Sequence, residues 1–367
     1  MKLFRLFVAF ILVCFTLSPS VQGVLPPPPG GYPNFTTAAG DHALQALTLG
    51  VGNTAIGTFS LFSVTTGNFN TAVGAGSLDL NQADSNTATG TAALLFNTTG
   101  AQNTAIGTAA LEFNTTGLQN AANGAFALFS NVGGSHNTAV GANALFANTA
   151  SSNTGIGDDA LANNSSGQFN VAIGDSAGAN STGDSNIMIG TGSGNNVTTA
   201  ANVICIGSSG ANVDHSCYIG NIFGATIDPA TAIIVGTDSS GKLGTVASSQ
   251  RFKRDIHPIE RASESILKLK PVTFHYKTDA KNTPCFGLIA EDVAETSPEL
   301  VVRDKEGKPY SVRYDQVNAM LLNEFLKARR QIDAQQKQID ALTAAVQKVS
   351  AQLDLSKPAS QTVVNVP

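Results

Sequence analysis

A serine and a lysine that could act together lie five residues apart in the segment SSQRFKRDI, residues 248–256. The hydroxyl of Ser248 is a weak nucleophile until a neighbouring base removes its proton. A lysine can be that base where desolvation or nearby cations lower its pKa, and Arg251 and Arg254 lie close to Lys253 in the sequence. The residue types alone therefore allow nucleophilic chemistry here, although most such pairs in polar segments are ordinary surface residues.

The same segment marks an abrupt change in composition. Residues 24–247 contain one basic and eleven acidic residues, a net charge of −10, whereas residues 248–367 contain 18 basic and 15 acidic residues, a net charge of +3. Such an asymmetry predicts a domain boundary near residue 247. An acidic region without clustered Lys and Arg also argues against nucleic-acid binding.

Residues 1–23 have the pattern of a secretory signal. Lys2 and Arg5 precede an apolar run over residues 6–17, and the segment ends in Val-Gln-Gly, which resembles a signal-peptidase site. Elsewhere no run is long and apolar enough to cross a membrane. We therefore expect an exported, extracellular or cell-surface protein without membrane insertion after signal cleavage, and an extended Pro-rich spacer over residues 24–35.

A short motif recurs throughout residues 36–220. The sequence Asn-Thr-Ala-Ile-Gly returns every 16 or 17 residues from Asn53 to Asn186, and each copy ends in Gly after a mostly β-branched residue. A Leu stands four residues past the Gly in eight copies and is then replaced by Gly178 and Gly194. Columns of one residue type at a fixed period are typical of a parallel β-solenoid, whose coils stack about 4.8 Å apart. We expect the Ile and Leu columns to form a continuous core, with Asn and Gly at the corners.

These repeats resemble the head repeats of trimeric autotransporter adhesins. The resemblance implies a mainly β fold in which the coils form a left-handed parallel β-roll within a trimer. Coils this short enclose little apolar area in one chain, which also favours association around an axis. Residues 221–247 are expected to form a β-rich linker between this shaft and the C-terminal third.

A Thr column next to the Asn column allows two interpretations. It could form a hydroxyl ladder in the coil corner, or it could be a flat array that faces ice or a surface glycan. The scattered acids and histidines of the shaft lack the spacing of a metal site, so we expect no metal and no cofactor. The column consists of Thr54, Thr71, Thr87, Thr104, Thr138 and Thr154.

Three cysteines follow the signal segment, namely Cys205, Cys217 and Cys285. An exported disulfide scaffold usually has more cysteines, in an even number. We therefore expect mostly buried thiols, with a Cys205–Cys217 bridge or an intermolecular bridge as alternatives.

Residues 317–355 carry an apolar heptad pattern that predicts a coiled coil, followed by a flexible tail over residues 356–367. Ile at successive a positions is compatible with a trimer, and Gln335 at a d position would set the register. The alternative is one amphipathic helix packed on a globular core. The predicted seam consists of Leu321, Phe325, Ile332, Ile339, Leu342, Val346, Val349 and Leu353.

The region from residue 248 to about residue 350 resembles the intramolecular chaperone domain of endosialidase-type phage tail spikes. The family pattern S-D-x-R-x-K-x-x-I, the pattern G-[FL]-I-A-[QE]-[DE]-V and a late Tyr are matched by Ser248, Arg251, Lys253, Ile256, residues 287–293 and Tyr314. The resemblance implies a small α+β domain over residues 248–316 that trimerises, helps the upstream fibre to fold and then releases itself.

By this resemblance Ser248 is the nucleophile, Lys253 is the general base, and the bond that breaks is Ala247–Ser248. Arg251 and Glu291 are candidates for a supporting role. The chain would be an autoproteolytic serine peptidase that acts once on itself, within a homotrimer.

One position departs from the family pattern, because Ser249 stands where the family usually has Asp. This departure and the Thr column leave three interpretations of the whole chain. It is a self-releasing fibre, a fibre whose chaperone stays as a permanent trimerisation clamp, or a shaft that binds glycan or ice.

Overall fold

The computed structural model describes residues 33–230, 232–238 and 240–355. The predicted signal segment lies outside these residues. Two units meet between Thr226 and Ile227. The first is a parallel solenoid in which twelve three-residue strands pair in sequence order, one strand per coil. These strands are β1 (Thr37–Ala39), β2 (Thr54–Ile56), β3 (Thr71–Val73), β4 (Thr87–Thr89), β5 (Thr104–Ile106), β6 (Ala121–Asn123), β7 (Thr138–Val140), β8 (Thr154–Ile156), β9 (Val171–Ile173), β10 (Ile187–Ile189), β11 (Ile204–Ile206) and β12 (Cys217–Ile219).

The core of the solenoid is built from the Leu column and an Ala column. Leu111 and Ala105 are fully buried, and so are most of their equivalents in the other coils. The expected position of the Ile column was wrong, since Ile106 is 42% exposed. The reason is strand alternation: the first and third residues of a strand share one face, and the small Ala between them points inward.

Where the Leu column ends, a large residue appears at the Ala position of the strand and a glycine appears at the Leu position. At Gly178 a Cβ would lie 2.3 Å from the Met188 sulfur, and at Gly194 the corresponding distance is 2.6 Å. Met188, which is fully buried, takes the place that Ala holds in most earlier strands. A large residue opposite a glycine therefore fills the volume that a Leu opposite an Ala fills in earlier coils.

Stacked asparagines satisfy the polar backbone inside the solenoid. The side-chain oxygen of Asn86 accepts the backbone N–H of Asn103 at 2.9 Å, and Asn103 Nδ2 donates to the Gly117 carbonyl at 2.8 Å. Asn97 and Asn114 belong to a second buried column and are joined by a 2.7 Å bond between Nδ2 and Oδ1. Buried amides are tolerated here because most of them are paired with a neighbouring coil, although Asn170 Nδ2 has no hydrogen-bond partner. The corner Asn residues predicted from the sequence are thus internal ladders.

Glycine is required after each strand for both a conformational and a steric reason. Gly107 has φ of +131°, which L side chains rarely adopt, and a Cβ there would lie 2.5 Å from the carbonyl oxygen of Gly124 in the next coil. The coils can stack closely only without a side chain at this position.

The second unit consists of short elements and one long helix. Three antiparallel pairs are formed by β13 (Gly236–Thr237) with β14 (Leu243–Gly244), β15 (Val272–Phe274) with β16 (Cys285–Gly287), and β17 (Val301–Arg303) with β18 (Pro309–Val312). The helices are α1 (Ala290–Thr296) and α2 (Tyr314–Leu355), with 3₁₀ segments at Gln250–Phe252, Ala262–Lys268 and Pro298–Leu300.

Helix α2 packs on this unit only at its beginning. Val317 and Met320 join the small core around Ile266, Val293 and Leu300. The heptad seam beyond them faces solvent, since Phe325 is 67% exposed and Val346 is also 67% exposed. The alternative of a helix packed on a globular core therefore holds only for the beginning of α2, and the seam beyond it is exposed.

The cysteines lie in different environments. Cys205 is buried, Cys217 is exposed and Cys285 is half-buried, and all three are free thiols. Cys205 points into the solenoid while Cys217, paired with Ile204, lies on the outward face of the sheet, which explains why the Cys205–Cys217 bridge is not formed.

Within the described residues, no helix has the length and apolar character of a membrane span. The same residues contain no group of three His, Cys, Asp or Glu side chains arranged to hold a metal ion.

Candidate functional site

A single 3₁₀ turn, Gln250–Phe252, lies between Ser248 and Lys253. Ser249 has extended backbone angles, φ −63° and ψ 140°, and precedes the turn Gln250–Phe252. The backbone N–H of Phe252 donates to the Ser249 carbonyl at 3.0 Å, and that of Lys253 donates to the Gln250 carbonyl at 3.0 Å. The chain therefore reverses between Ser248 and Lys253.

This reversal brings the two candidate catalytic side chains together. Lys253 Nζ lies 3.2 Å from Ser248 Oγ, in hydrogen-bonding contact. A lysine in its charged form donates to the hydroxyl, and in its neutral form it could instead accept the hydroxyl proton. The contact is the geometry that a nucleophile and its base require.

The two arginines of the segment have other contacts. The Arg251 guanidinium lies 4.7 Å from the centre of the Phe252 ring, in a cation–π arrangement. Arg254 Nε lies 3.8 Å from Asp255 Oδ2. Both cations therefore remain close in sequence to the lysine without a described contact to its amine.

All residues from Ala247 to Ile256 are exposed in the single chain. Both members of the pair are therefore open to solvent. The isolated unit thus provides proximity between Ser248 and Lys253 but not the dry surroundings in which a lysine becomes an effective base.

Glu291 lies in the first turn of α1, on a surface groove that also includes Tyr276 and Tyr310. Among the described contacts none joins Glu291 to Ser248 or Lys253. Its supporting role stays a prediction, as does that of Arg251.

Tyr314 has a role that the sequence pattern did not reveal. The backbone N–H of Leu288 donates to its hydroxyl at 2.9 Å, so the first residue of α2 is tied to the segment between β16 and α1. Both residues belong to the motifs that resemble the chaperone family. The hydrogen bond fixes the start of the long helix against the small sheet.

An apolar groove lies beside this hydrogen bond, between the 3₁₀ segment Ala262–Lys268, β16 and α2. Ile266, Phe286 and Leu321 contribute to its wall, and Phe286 is 81% exposed. This groove and the helix seam are apolar surfaces that the single chain leaves uncovered.

Comparison with known families identifies one part of the chain. Residues 248–302 match the family described as chaperone of endosialidase. The match begins at Ser248 and includes Lys253. Comparisons with curated proteins and with solved structures gave no match.

Proposed function

We propose that the chain is one protomer of an exported, trimeric, fibre-like surface protein whose C-terminal chaperone removes itself by cleaving Ala247–Ser248. The observation that carries this proposal is the 3.2 Å contact between Lys253 Nζ and Ser248 Oγ. It lies at the start of the segment that matches the chaperone family.

The chemistry would begin with transfer of the Ser248 hydroxyl proton to a neutral Lys253 amine. Oγ then attacks the carbonyl carbon of Ala247 and forms a C–O bond. The C–N bond between Ala247 and Ser248 breaks, and the departing nitrogen takes up the proton, so an ester replaces the amide. Water hydrolyses this ester, leaving a carboxylate on Ala247 and a free amine and hydroxyl on Ser248.

Assembly would activate the pair. The exposed seam of α2, in which Phe325, Ile332 and Ile339 are all more than half exposed, favours burial against partner helices. Packing of three chaperone domains would remove water from around the dyad and favour the neutral amine. Cleavage would then follow correct trimer formation.

The upstream solenoid is a suitable product of such a chaperone. Eleven steps of about 4.8 Å between its twelve strands give a rod about 53 Å long. All its strand pairing is parallel and connects neighbouring coils, so an error in one coil would shift the register of the next. A template that imposes the starting register would reduce such errors.

The experiment compares intact masses after denaturation for the mature chain from residue 24, Ser248→Ala, Lys253→Ala and the matched control Ser249→Ala. We expect two fragments that meet at Ala247/Ser248 in the parent and in the control, and whole chains in the other two variants. Hydroxylamine should trap the ester as a hydroxamate on Ala247. Fragments from Ser248→Ala would contradict the mechanism.

A permanent clamp is the second candidate, favoured by Ser249 in place of the usual Asp. The side chain of Ser249 makes no capping hydrogen bond to the turn that follows it. If all chains stay whole and run as trimers before denaturation, the chaperone is a clamp, and Ser249→Asp would be expected to restore cleavage.

A further inference from the structure

The outward face of the twelve-stranded sheet is formed by the first and third residues of each strand. This surface, called the sheet face, contains no charged residue in any of its twelve strands, β1 to β12. The repeats of residues 36–220 nevertheless carry nine acidic residues. Its acids are therefore confined to the other faces.

The sheet face becomes wholly aliphatic in the strands β9 to β11. Earlier strands usually pair an outward Thr with an outward Ile or Val, whereas β10 has Ile187 and Ile189 and β11 has Ile204 and Ile206. These four side chains are between 36% and 41% exposed. The strands with two aliphatic columns are also among those closest in sequence to the chaperone.

An aliphatic surface of this regularity is unfavourable in water, because its methyl and methylene groups stay hydrated. Parallel sheets are usually covered on both faces. Here one face rests on the Leu and Ala core and the other is uncovered in the single chain.

We propose that the sheet face, and above all its part from β9 to β12, is the surface along which copies of this chain pack in the shaft. The inference deepens the proposed function and rests on the trimer assumed there. Another copy fits for two reasons. The face lacks charge, so copies approach without the repulsion that their acidic faces impose. The face is also only two residues wide, which suits packing around an axis.

The aromatic ridge on another face is the competing surface. It consists of Phe96, Phe113, Phe126, Phe129 and Phe146. Its rings pack against one another, with stacked pairs 5.1 Å apart for Phe96–Phe113 and 5.0 Å apart for Phe129–Phe146, and Phe129 is only 6% exposed. The ridge thus covers itself, which the sheet face does not.

Cys217 provides a native probe, because its side chain lies on the sheet face in β12 and is exposed. The full mature chain would carry Ser248→Ala to keep the chaperone attached and Cys285→Ser to remove the other accessible thiol. A short bismaleimide is added to the assembled protein, and covalent dimers are counted after denaturation. A second probe is Ile189→Cys, and the matched control is Asn163→Cys, an exposed position of the shaft away from the sheet face. Both of these variants also carry Cys217→Ser.

We expect most chains to be crosslinked through Cys217 and through Ile189→Cys, and few or none through Asn163→Cys. Native mass measured on the same samples reports the trimer independently. Trimers without sheet-face crosslinks, or with crosslinks only at the control position, would overturn this inference while leaving the proposed function intact. Monomers with no crosslinks at all would instead contradict the trimer itself.

Discussion

The two units of this protein manage their apolar residues in opposite ways. In the solenoid, Leu111 and its equivalents are fully buried in one chain, and polar amides are paired in ladders. In the second unit, the apolar seam of α2 and residues such as Phe286 face solvent. The solenoid therefore has a continuous core within one chain, whereas the C-terminal unit has a small core and leaves most of its large apolar side chains exposed.

The chemistry follows the same division. The described residues of the shaft contain no group of side chains that could hold a metal ion, while the candidate Ser248–Lys253 pair lies in the second unit. A pair that stays hydrated in one chain and becomes dry in an assembly would couple cleavage to association. Four substitutions and one kinetic measurement test this difference between the two units.

The largest effect is expected from a charge in the helix seam. Ile339→Asp places a carboxylate at an a position of the predicted coiled coil, where it would have to be buried among apolar side chains. We expect loss of the trimer by native mass spectrometry and loss of cleavage. Ala344→Asp at the neighbouring f position is the matched control and should leave both unchanged. A trimer that survives Ile339→Asp would mean that the seam is not an interface.

A smaller but still severe effect is expected from the glycine column of the shaft. Gly107→Ala introduces a methyl group 2.5 Å from the Gly124 carbonyl oxygen, at a φ of +131°. The loss of stability should be about 3 kcal/mol or more. Gly207→Ala tests the same column where no atom lies within 4 Å, and should cost about 1 kcal/mol. Thermal unfolding distinguishes the two, and equal losses would contradict the stacking argument.

Truncation of a leucine in the shaft should lower the free energy of unfolding by an amount that depends on how deeply the side chain is buried. Leu111→Ala removes a fully buried side chain and should cost about 2–5 kcal/mol, because a cavity remains. Leu118→Ala, in the same coil region but 42% exposed, should cost less than about 1 kcal/mol. Chemical denaturation of the two variants measures the difference. Similar losses would mean that the core is not where the structure places it.

The smallest effect concerns two acids of the shaft. Burial raises the pKa of Glu112 from 4.5 to about 7 and that of Asp79 from 3.8 to about 6. Because the folded pKa values lie above the unfolded ones, the protonated forms stabilise the shaft. The unfolded chain binds fewer protons between about pH 4 and 7, so stability should fall as the pH rises through that window.

Glu112→Gln should therefore raise the melting temperature at pH 8 and change it little at pH 4. The gain should be about 1–3 kcal/mol, because burial disfavours the ionised carboxyl that the amide replaces. The exposed Asp158→Asn is the control. A gain that is the same at both pH values would point to packing rather than to charge.

The repeat made the solenoid predictable, but one column was assigned to the wrong side. Glycine, leucine and asparagine at a fixed period indicated stacked coils, and the Leu core is confirmed. The Ile column was placed inside because it is apolar, although Thr, Ala and Ile at successive strand positions require Thr and Ile to share a face. The small middle residue was the signal, since it is the one that fits opposite Leu.

The candidate site was predictable as a pair of residues but not as a geometry. The spacing between Ser248 and Lys253 suggested that they could meet, yet only the 3₁₀ turn between them explains how. The role of Tyr314 depended on a hydrogen bond across 26 residues, which no local pattern reveals. The supporting roles of Arg251 and Glu291 stay predictions.

If assembly activates the Ser248–Lys253 pair, the rate of cleavage must depend on protein concentration. The mature chain would be unfolded, diluted to a series of protein concentrations, and followed by intact mass while it refolds. We expect the rate of cleavage at Ala247–Ser248 to rise with concentration until trimer formation is complete, and Ile339→Asp to remove this rise. A cleavage rate that is the same at every concentration would contradict activation by assembly, because the pair would then act within a single chain.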